Sequence, residues 1–369
     1  MKTVEENLPS NSNQATSAEP NLREVINYIS DECRPPKPSV LKGMLYYIFD
    51  LALYLVTLAG MVYGGPWLYL PCLILNVLSI GALFIVAHDC CHGSIFGVKT
   101  RLRRSLAYLV GQSAMLTGGH MWEVWEFGHN RVHHGHTVKA DFDFVWHPVT
   151  PQQYAAMNPL AKLWHNFCWS PLGHGAYYIV YVWIGKMWVF KGTGDRAMRL
   201  RVLRDKALVA VYHIAVAALV VSLFGWWVWV KAILVPFLLW HHYIGFVVYV
   251  QHIHEMVVWR VRQAWTPFRG QVEGTVTFVF PKVINFLSHN IFIHTPHHVD
   301  MRIPFYHLPR AMAAMRQRYS DYLIEHPFRL SEYLRSTRLC KYFDFELSCW
   351  FNDLNSWKLA RQAEQRSLA

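Results

Sequence analysis

Charged residues are scarce in this chain, and their scarcity is the first indication of its class. Asp, Glu, Lys and Arg make up only 16% of its 369 residues, whereas a soluble globular domain carries about 25%. Hydrophobic residues reach 53%, and the mean hydropathy is positive, at +0.14. This composition disfavours a soluble enzyme and favours a protein that crosses a membrane several times.

Cysteine motifs are missing as well. The seven cysteines include one adjacent pair, Cys90-Cys91, but no two of them have C-x-x-C spacing. This pattern argues against a zinc ribbon and against a disulfide framework. The sequence also has no internal repeat and no dinucleotide-binding glycine motif. Any metal chemistry must rest on another residue type, and histidine, with 21 copies, is the one in excess.

The first forty residues have no continuous apolar core, so no signal peptide can be recognised there. Their polar composition predicts a mobile cytosolic leader over residues 1–40. The net charge of the chain is +11, which suits either nucleic acid or an anionic membrane surface. Because 16 Trp residues and long apolar runs accompany this charge, we expect the membrane surface and no nucleic acid.

Four apolar segments are long enough to cross a bilayer, which requires about 20 residues. We predict these membrane spans at about 43–62, 67–87, 207–228 and 232–251. Two further apolar stretches, 105–119 and 175–190, fit helices that lie in the membrane interface better than spans.

The distribution of basic residues orients these spans. The turn around Gly64-Gly65 contains no Lys or Arg, whereas the segment from His88 to Lys206 is rich in both. The positive-inside rule therefore places that segment in the cytoplasm. The predicted fold is an all-α integral membrane protein with four transmembrane helices in two hairpins, both termini cytoplasmic, and a cytoplasmic helical cap.

Three clusters of histidines follow the predicted spans. They are His88-x3-His92, His129-x3-His133-His134 and His294-x2-His297-His298. Positions i and i+4 share one face of an α-helix, so His88 and His92 can reach the same ion. The same spacing predicts that His129 and His133 share a face, with His134 turned away by about 100° toward a second ion.

The predicted topology brings all three clusters to one membrane face. One zinc ion needs about four ligands, whereas at least eight histidines converge here, and no cluster has the H-E-x-x-H form of a zinc hydrolase. We therefore predict a di-iron site. Histidines outside the clusters are interpreted as structural: His120, His147, His165, His174, His213 and His307.

Around these clusters the chain resembles the membrane fatty acid desaturase superfamily, especially its acyl-lipid, omega-6 (delta-12) type branch. The matching sequences are HDCCHGSIF, VQHIHE and SHNIFIHTPHHVDMRIPFYHLPRA, and the resemblance covers residues 41–345. It implies a desaturase domain over this range and a cytosolic C-terminal tail over 346–369. The second cluster has three residues between its first two histidines, whereas most acyl-lipid desaturases have two.

The resemblance also implies the ligands of the two iron ions. The eight cluster ligands are His88, His92, His129, His133, His134, His294, His297 and His298. A ninth histidine follows the last span, and His254 is preferred here, with His252 as the alternative. His289 and Asn290 are candidates for residues that support the ligands, and so are His136, Asp141 and Asp143, although an exposed loop explains these three equally well. No catalytic residue is expected beyond the metal ligands.

The implied reaction is the O2-dependent introduction of a C=C bond into a fatty acyl chain held in an apolar tunnel. Residues 121–127 and the ends of the second and fourth spans are candidates for its lining, and plain membrane packing explains them equally well. The chain has no His-Pro-Gly-Gly haem signature and no flavin motif, so a ferredoxin, rubredoxin or cytochrome b5-type protein must supply electrons. The alternatives with a related site are a fatty acid decarboxylase that forms terminal alkenes, an acetylenase, a hydroxylase and a carotenoid ketolase. A membrane metal transporter is a remote alternative.

Overall fold

The computed structural model describes residues 19–33 and 38–368. Within these residues the chain is mainly helical, as the sequence predicts, with two small two-stranded sheets that the all-α prediction omits. Most of the predicted leader lies outside the described residues. Its described part contains helix α1 (Leu22–Cys33), whose Val25 and Ile29 are fully buried. This part is a packed helix and not the mobile segment that the sequence predicts.

Among the described residues, four helical stretches are long and apolar enough to cross a membrane, the same number as the predicted spans. They are α2 (Val40–Tyr63), α3 (Pro66–His92), α9 (Arg196–Phe224) and the continuous stretch Trp226–His252. The last of these consists of α10 (Trp226–Trp229), a π-helix π3 (Val230–Leu234) and α11 (Val235–His252).

The four stretches differ in how much protein surrounds them. In the most apolar window of α3, 67% of residues are buried, against only 6% in that of α9. α3 packs against α2, α4 (Arg101–Thr117) and α11, so it forms the centre of the helical assembly. The exposed apolar surface of α2 and α9 is what a helix facing lipid requires. The inner helices α3 and α11 are therefore the ones whose ends can hold a buried site.

Short helices fill the segment between α3 and α9. They are α4, α5 (Trp122–Trp125), π1 (Glu126–His133), α6 (Pro151–Ala156), α7 (Pro159–Cys168), α8 (His174–Tyr177) and π2 (Tyr178–Trp188). The two stretches predicted to lie in the interface fall on α4 and on α8 with π2.

The segment after α11 folds against the same ends of α3 and α11. Its helices are π4 (Arg269–Glu273), α12 (Lys282–Leu287), α13 (Thr295–Val299), α14 (Leu308–Tyr319), α15 (Leu330–Leu339) and α16 (Leu354–Leu368), with short 3-10 turns at Phe305–His307 and Ser320–Tyr322. Strands β1 (Val276–Val279) and β2 (Ile324–Pro327) pair in parallel. Strands β3 (Tyr342–Asp344) and β4 (Cys349–Phe351) pair antiparallel, so the predicted domain boundary at Phe345 falls in the turn that connects them.

Candidate metal centre

Nine histidines converge into two adjacent groups at the ends of α3 and α11. Within each group the ligand nitrogens lie within 4.8 Å of one another. The first group contains His88, His92, His129, His134 and His297, and the second contains His133, His252, His294 and His298. All eight cluster histidines of the sequence prediction are therefore brought together.

The last turn of α3 supplies both histidines of the first cluster. His88 and His92 are four residues apart on this helix, and their Nε2 atoms are 3.2 Å apart, as the spacing predicts. The helix ends directly after them, because Gly93 adopts a left-handed conformation with φ of +68°. The chain therefore turns away at once and leaves room for other ligands.

The second cluster lies on a π-helix, and this corrects the predicted geometry. In π1 the peptide N–H of His134 donates to the carbonyl of His129, five residues earlier, at 2.9 Å. Positions five apart therefore share a face. His129 and His134 belong to the first group, with Nε2 atoms 3.1 Å apart, whereas His133 belongs to the second. The prediction that His129 and His133 share one ion was wrong because it assumed an α-helix.

The third cluster also contributes histidines to both groups, but with two in the second group and one in the first. It begins at the start of α13, where Pro296 is tolerated, as predicted. His294 and His298, four residues apart, lie in the second group, and His297 lies in the first. The His297 Nε2 atom is 3.1 Å from that of His134. The second and third clusters therefore each contribute to both groups.

His252, and not His254, completes the second group. His252 is the last residue of α11, and its Nε2 atom is 3.0 Å from that of His294. The Nδ1 atom of His254 accepts a hydrogen bond from the peptide N–H of Met256 at 3.2 Å, so its proton is on Nε2, which faces Glu332 at 3.4 Å. The preference for His254 is thus contradicted by its position. Burial, with the neighbouring His326, lowers the pKa of His254 to about 4.

His254, His326 and Glu332 also lie close enough together to be considered as a metal site. The His254 proton argues against one, because the nitrogen that faces the group is already protonated in the neutral ring. Hydrogen bonding to Glu332 explains the arrangement without an ion.

Outer hydrogen bonds direct four ligand nitrogens toward the centre. Each of these imidazoles donates its Nδ1 proton to an acceptor, and a neutral ring then presents a lone pair at Nε2. The pairs are His88 with Asp89 at 3.0 Å, His133 with Asp143 at 3.0 Å, His252 with the Gly274 carbonyl at 3.3 Å and His298 with Gln271 Oε1 at 2.9 Å. Lone pairs that converge in this way are suited to a cation.

The protonation states of the cluster favour metal binding. Burial, reinforced by the neighbouring histidines, lowers the pKa of His134, His297 and His298 well below the ordinary value. The rings are therefore neutral, which is the form that coordinates metals. The buried Nε2 atom of His298 has no hydrogen-bond partner among the described residues, which suits an ion at this position. The donor set thus fits a pair of metal ions.

Asp143 holds its position through several contacts. Its carboxylate also accepts hydrogen bonds from the peptide N–H groups of Val138 and Val145, at 2.9 and 3.1 Å. The neighbouring candidates do not have this role, because His136 stacks on Phe142 at 4.8 Å and Asp141 is exposed.

His289 and Asn290 support the centre only indirectly. His289 forms a 2.6 Å hydrogen bond with Asp50 of α2 and stacks on Phe305, and Asn290 donates to the Phe305 carbonyl. The peptide N–H of Phe305 donates in turn to Asp89, which orients His88. This series explains why a carboxylate lies inside the first apolar span.

Sequence reasoning missed Gln271, which lies on π4 and supports two of the clusters. It accepts the Nδ1 proton of His298, and its amide donates to the His134 carbonyl. No sequence spacing pointed to it. The isolated histidines behave as expected: none of the six belongs to a group among the described residues, and His120, for example, faces the Gly118 carbonyl and the Tyr178 hydroxyl.

An apolar cavity of about 270 Å³ reaches both histidine groups. Residues of α3, α5, π1, π2 and α11 line it, including Phe84, Ile85, Val124, Trp125, Phe127, Met187, Ile244 and Val247. His88 and His129 of the first group and His133, His252 and His294 of the second also face it. Of the predicted tunnel stretch 121–127, three residues line this cavity.

The sequence matches the family model described as fatty acid desaturase over residues 64–329, which is most of the chain. This chain belongs to the fatty acid desaturase family. The predicted family is therefore confirmed, and the match spans all nine grouped histidines and the cavity lining.

Curated relatives of this desaturase include members of the predicted omega-6 (delta-12) type branch. An sn-1 oleoyl-lipid 12-desaturase of Anabaena variabilis is 26% identical over 84% of this chain and 86% of its own length. An sn-1 oleoyl-lipid 12-desaturase of a Picosynechococcus species is 30% identical over 76% of this chain and 79% of its own. An sn-1 acyl-lipid omega-3 desaturase (ferredoxin) of a Synechocystis species is 28% identical over 81% and 83%.

As a fatty acid desaturase, the protein is an oxidoreductase that acts on paired donors with O2. Removal of hydrogen from an unactivated CH2 group lies beyond side-chain acid–base chemistry, so a cofactor must perform it. The histidine groups, which contribute to the lining of the apolar cavity, are consistent with a metal centre.

Proposed function

We propose that this desaturase introduces an internal double bond into the acyl chain of a membrane lipid at a di-iron centre. The observation that carries the proposal is the apolar cavity, whose lining includes histidines of both groups. The names of the relatives support an acyl-lipid substrate.

In this proposal nine histidines hold the two ions. His88, His92, His129, His134 and His297 would bind one, and His133, His252, His294 and His298 would bind the other. Imidazole nitrogens suit iron, and reduced iron supplies the O2-dependent removal of hydrogen. Asp89 and Asp143 fix the ring orientation of His88 and His133.

The cavity walls position the substrate. Phe84, Trp125 and Val247 surround the acyl chain, exclude water and fix which carbon atoms lie beside the histidines. No polar side chain needs to recognise the chain, because an alkyl group offers only shape and apolar surface. The distance from the polar end of the substrate to the histidines then determines where the double bond forms.

We further propose that the histidine groups and both termini face the cytoplasm. The first cluster ends α3 and His252 ends α11, so two inner helices bring ligands to the same side. The basic segment between His88 and Lys206 supports a cytoplasmic position. The four spans would then form two hairpins beneath a cytoplasmic cap.

The electrons would come from a small carrier protein that docks on this cytoplasmic face. One relative carries ferredoxin in its name, which supports a ferredoxin over a rubredoxin or cytochrome b5. The net charge of +11 favours association with an acidic carrier.

Product analysis tests the proposed function. The purified protein is supplied with iron, reduced ferredoxin and a dioleoyl glycerolipid, and the released acyl chains are examined by mass spectrometry. We expect a second internal double bond, which His298→Ala should abolish and His136→Ala, outside both groups, should leave in place. Terminal alkenes or hydroxylated chains as the sole products would contradict desaturation.

A further inference from the structure

A second cavity of about 510 Å³ adjoins the apolar cavity, which is called the acyl cavity from here on. The two cavities share three lining residues, Phe142, Phe144 and Lys186, so they meet at the loop that contains Asp143. α7 and the start of π2 provide the opposite wall, through residues such as Ala161 and Tyr181.

The two cavities differ in chemical character. Besides histidines, Lys186 is the one ionisable cation among the residues that line the acyl cavity, and it lies where that cavity meets the second. The second cavity is more polar than the first, with Asp141, His147, His165 and Tyr181 in its lining beside apolar residues such as Met157 and Trp164. A molecule that occupied both would need an apolar part, a polar part and a junction that contacts a cation.

The second cavity lies beside a helix suited to the membrane interface. On α7, Leu160 and Leu163 are 77% and 67% exposed, although this helix is outside the four long apolar stretches. A helix with such a face lies in the plane of the headgroups, with its apolar side toward the acyl chains. Such an orientation of α7 would bring the second cavity, which α7 helps to line, to the depth of the lipid headgroups.

We propose that the second cavity binds the glycerol and headgroup of the lipid whose acyl chain occupies the first cavity. This inference rests on the proposed function and deepens it. Lys186 would donate to ester or phosphate oxygens at the junction of the cavities. The substrate would then be a whole glycerolipid, because a free fatty acid would leave the second cavity unused.

The charges around the junction fit this assignment. Asp143 lines the second cavity, but its carboxylate is engaged by His133 and two peptide N–H groups, so it does not compete for Lys186. Asp141 is exposed at the outer part of the lining, where it can accept hydrogen bonds from headgroup hydroxyls.

Two substitutions separate the headgroup cavity from the acyl cavity. Lys186→Met removes the junction cation, and Ala161→Trp fills the second cavity from α7. Lys191→Met is the matched control, because Lys191 is an exposed lysine just beyond π2 that lines neither cavity. The full-length variants are assayed with dioleoyl phosphatidylglycerol, dioleoyl monogalactosylglycerol and methyl oleate.

For Lys186→Met we expect the KM for a glycerolipid to rise about fivefold, since one lysine contact near a lipid surface changes binding by about that factor. Ala161→Trp should abolish turnover of both glycerolipids. Methyl oleate, which lacks the glycerol and headgroup, should be converted at the wild-type rate by Ala161→Trp, because Ala161 lines only the second cavity. An effect of Lys186→Met on phosphatidylglycerol alone assigns the contact to phosphate, and an equal effect on both lipids assigns it to the ester.

Native mass spectrometry gives a readout that does not depend on catalysis. We expect the wild-type protein and Lys191→Met to retain dioleoyl phosphatidylglycerol, and Ala161→Trp to lose it. Wild-type retention and turnover of glycerolipids by Ala161→Trp and Lys186→Met would overturn the headgroup site. Failure of the wild-type protein to desaturate any of the three substrates would instead contradict the proposed function. Retention of the lipid in native mass spectrometry would then still test the headgroup site, because it does not depend on catalysis.

Discussion

His252 and His254 lie two residues apart, yet their ring nitrogens have opposite hydrogen-bond partners. His252 faces the Gly274 carbonyl with Nδ1, which leaves its Nε2 free of a proton. His254 receives a peptide N–H at Nδ1, which places its proton on Nε2. Only the first arrangement presents a lone pair to a metal ion. The proton position therefore distinguishes a ligand from a neighbouring structural histidine.

Alanine substitutions of these two residues give a sharp test. We expect His252→Ala to lose iron and activity because it removes one of four nitrogens from the second group. His254→Ala should retain about two irons per chain, as a dinuclear site requires. Metal analysis of the purified variants measures both. Iron loss in His254→Ala with full occupancy in His252→Ala would reverse the assignment.

Asp143 provides a second prediction at this scale. Asp143→Asn weakens the acceptor that fixes the His133 ring, and loss of such an outer partner costs about 10- to 100-fold in metal affinity or activity. Asp141→Asn is the matched control, because Asp141 is exposed and contacts no grouped histidine among its hydrogen bonds. Iron affinity measured by competition with a chelator should fall only for Asp143→Asn. Equal affinities would show that Asp143 does not position His133.

The sequence predicted eight of the nine grouped histidines because their spacing is local. The choice between His252 and His254 depends on where α11 ends, and Ile253 is the first extended residue, with φ of −117° and ψ of 106°. Gln271 was out of reach for another reason. It meets His298 across 27 positions of the chain, and only tertiary packing creates that contact.

At the scale of elements, π1 accommodates the additional residue of the second cluster. With two intervening residues, an α-helix would place the first and last histidines four positions apart and on one face. With three, the separation becomes five, and the π-helix restores a shared face for His129 and His134. The change from an α-helix to a π-helix thus lets the first and last histidines of the cluster join the same group despite the additional residue. The sequence could not show this, since residue spacing alone does not specify a π-helix.

A deletion and an insertion in π1 should have opposite consequences. Removal of the exposed Arg131 leaves two intervening residues, and we expect an α-helical segment that still binds iron. Insertion of one alanine after Arg131 separates His129 from His134 by six positions, which neither helix type brings onto one face, so iron should be lost. Metal content and circular dichroism of both variants test this. Equal iron content in the two variants would contradict the role given to π1.

At the scale of the whole molecule, the long helices were predictable and their assembly was not. Apolar length located all four stretches, because the bilayer sets the number of residues that each needs. Composition does not distinguish the buried α3 from the lipid-facing α9, which differ in what surrounds them. Contacts between distant segments, such as Asp50 with His289, also depend on that assembly.

The Asp50–His289 pair joins a membrane helix to the segment that carries the third cluster. Asp50→Ala leaves His289 buried without its partner, and an unsatisfied buried hydrogen-bonding group costs about 1–3 kcal/mol. We expect a lower melting temperature in detergent and weaker iron binding. Replacement of both residues by leucine should destabilise less, because no polar group then remains unpaired. A wild-type melting temperature for Asp50→Ala would exclude this role.

The division of the second and third clusters between the two groups has a consequence for how the centre fills. Each of these short segments holds nitrogens of both groups, so an ion that orders one group also places ligands for the other. We therefore expect positive cooperativity in metal uptake, with few molecules carrying a single ion at half saturation. The two sites would then fill together. When iron is limiting, a protein sample would contain molecules with no ion and molecules with two, and few with one.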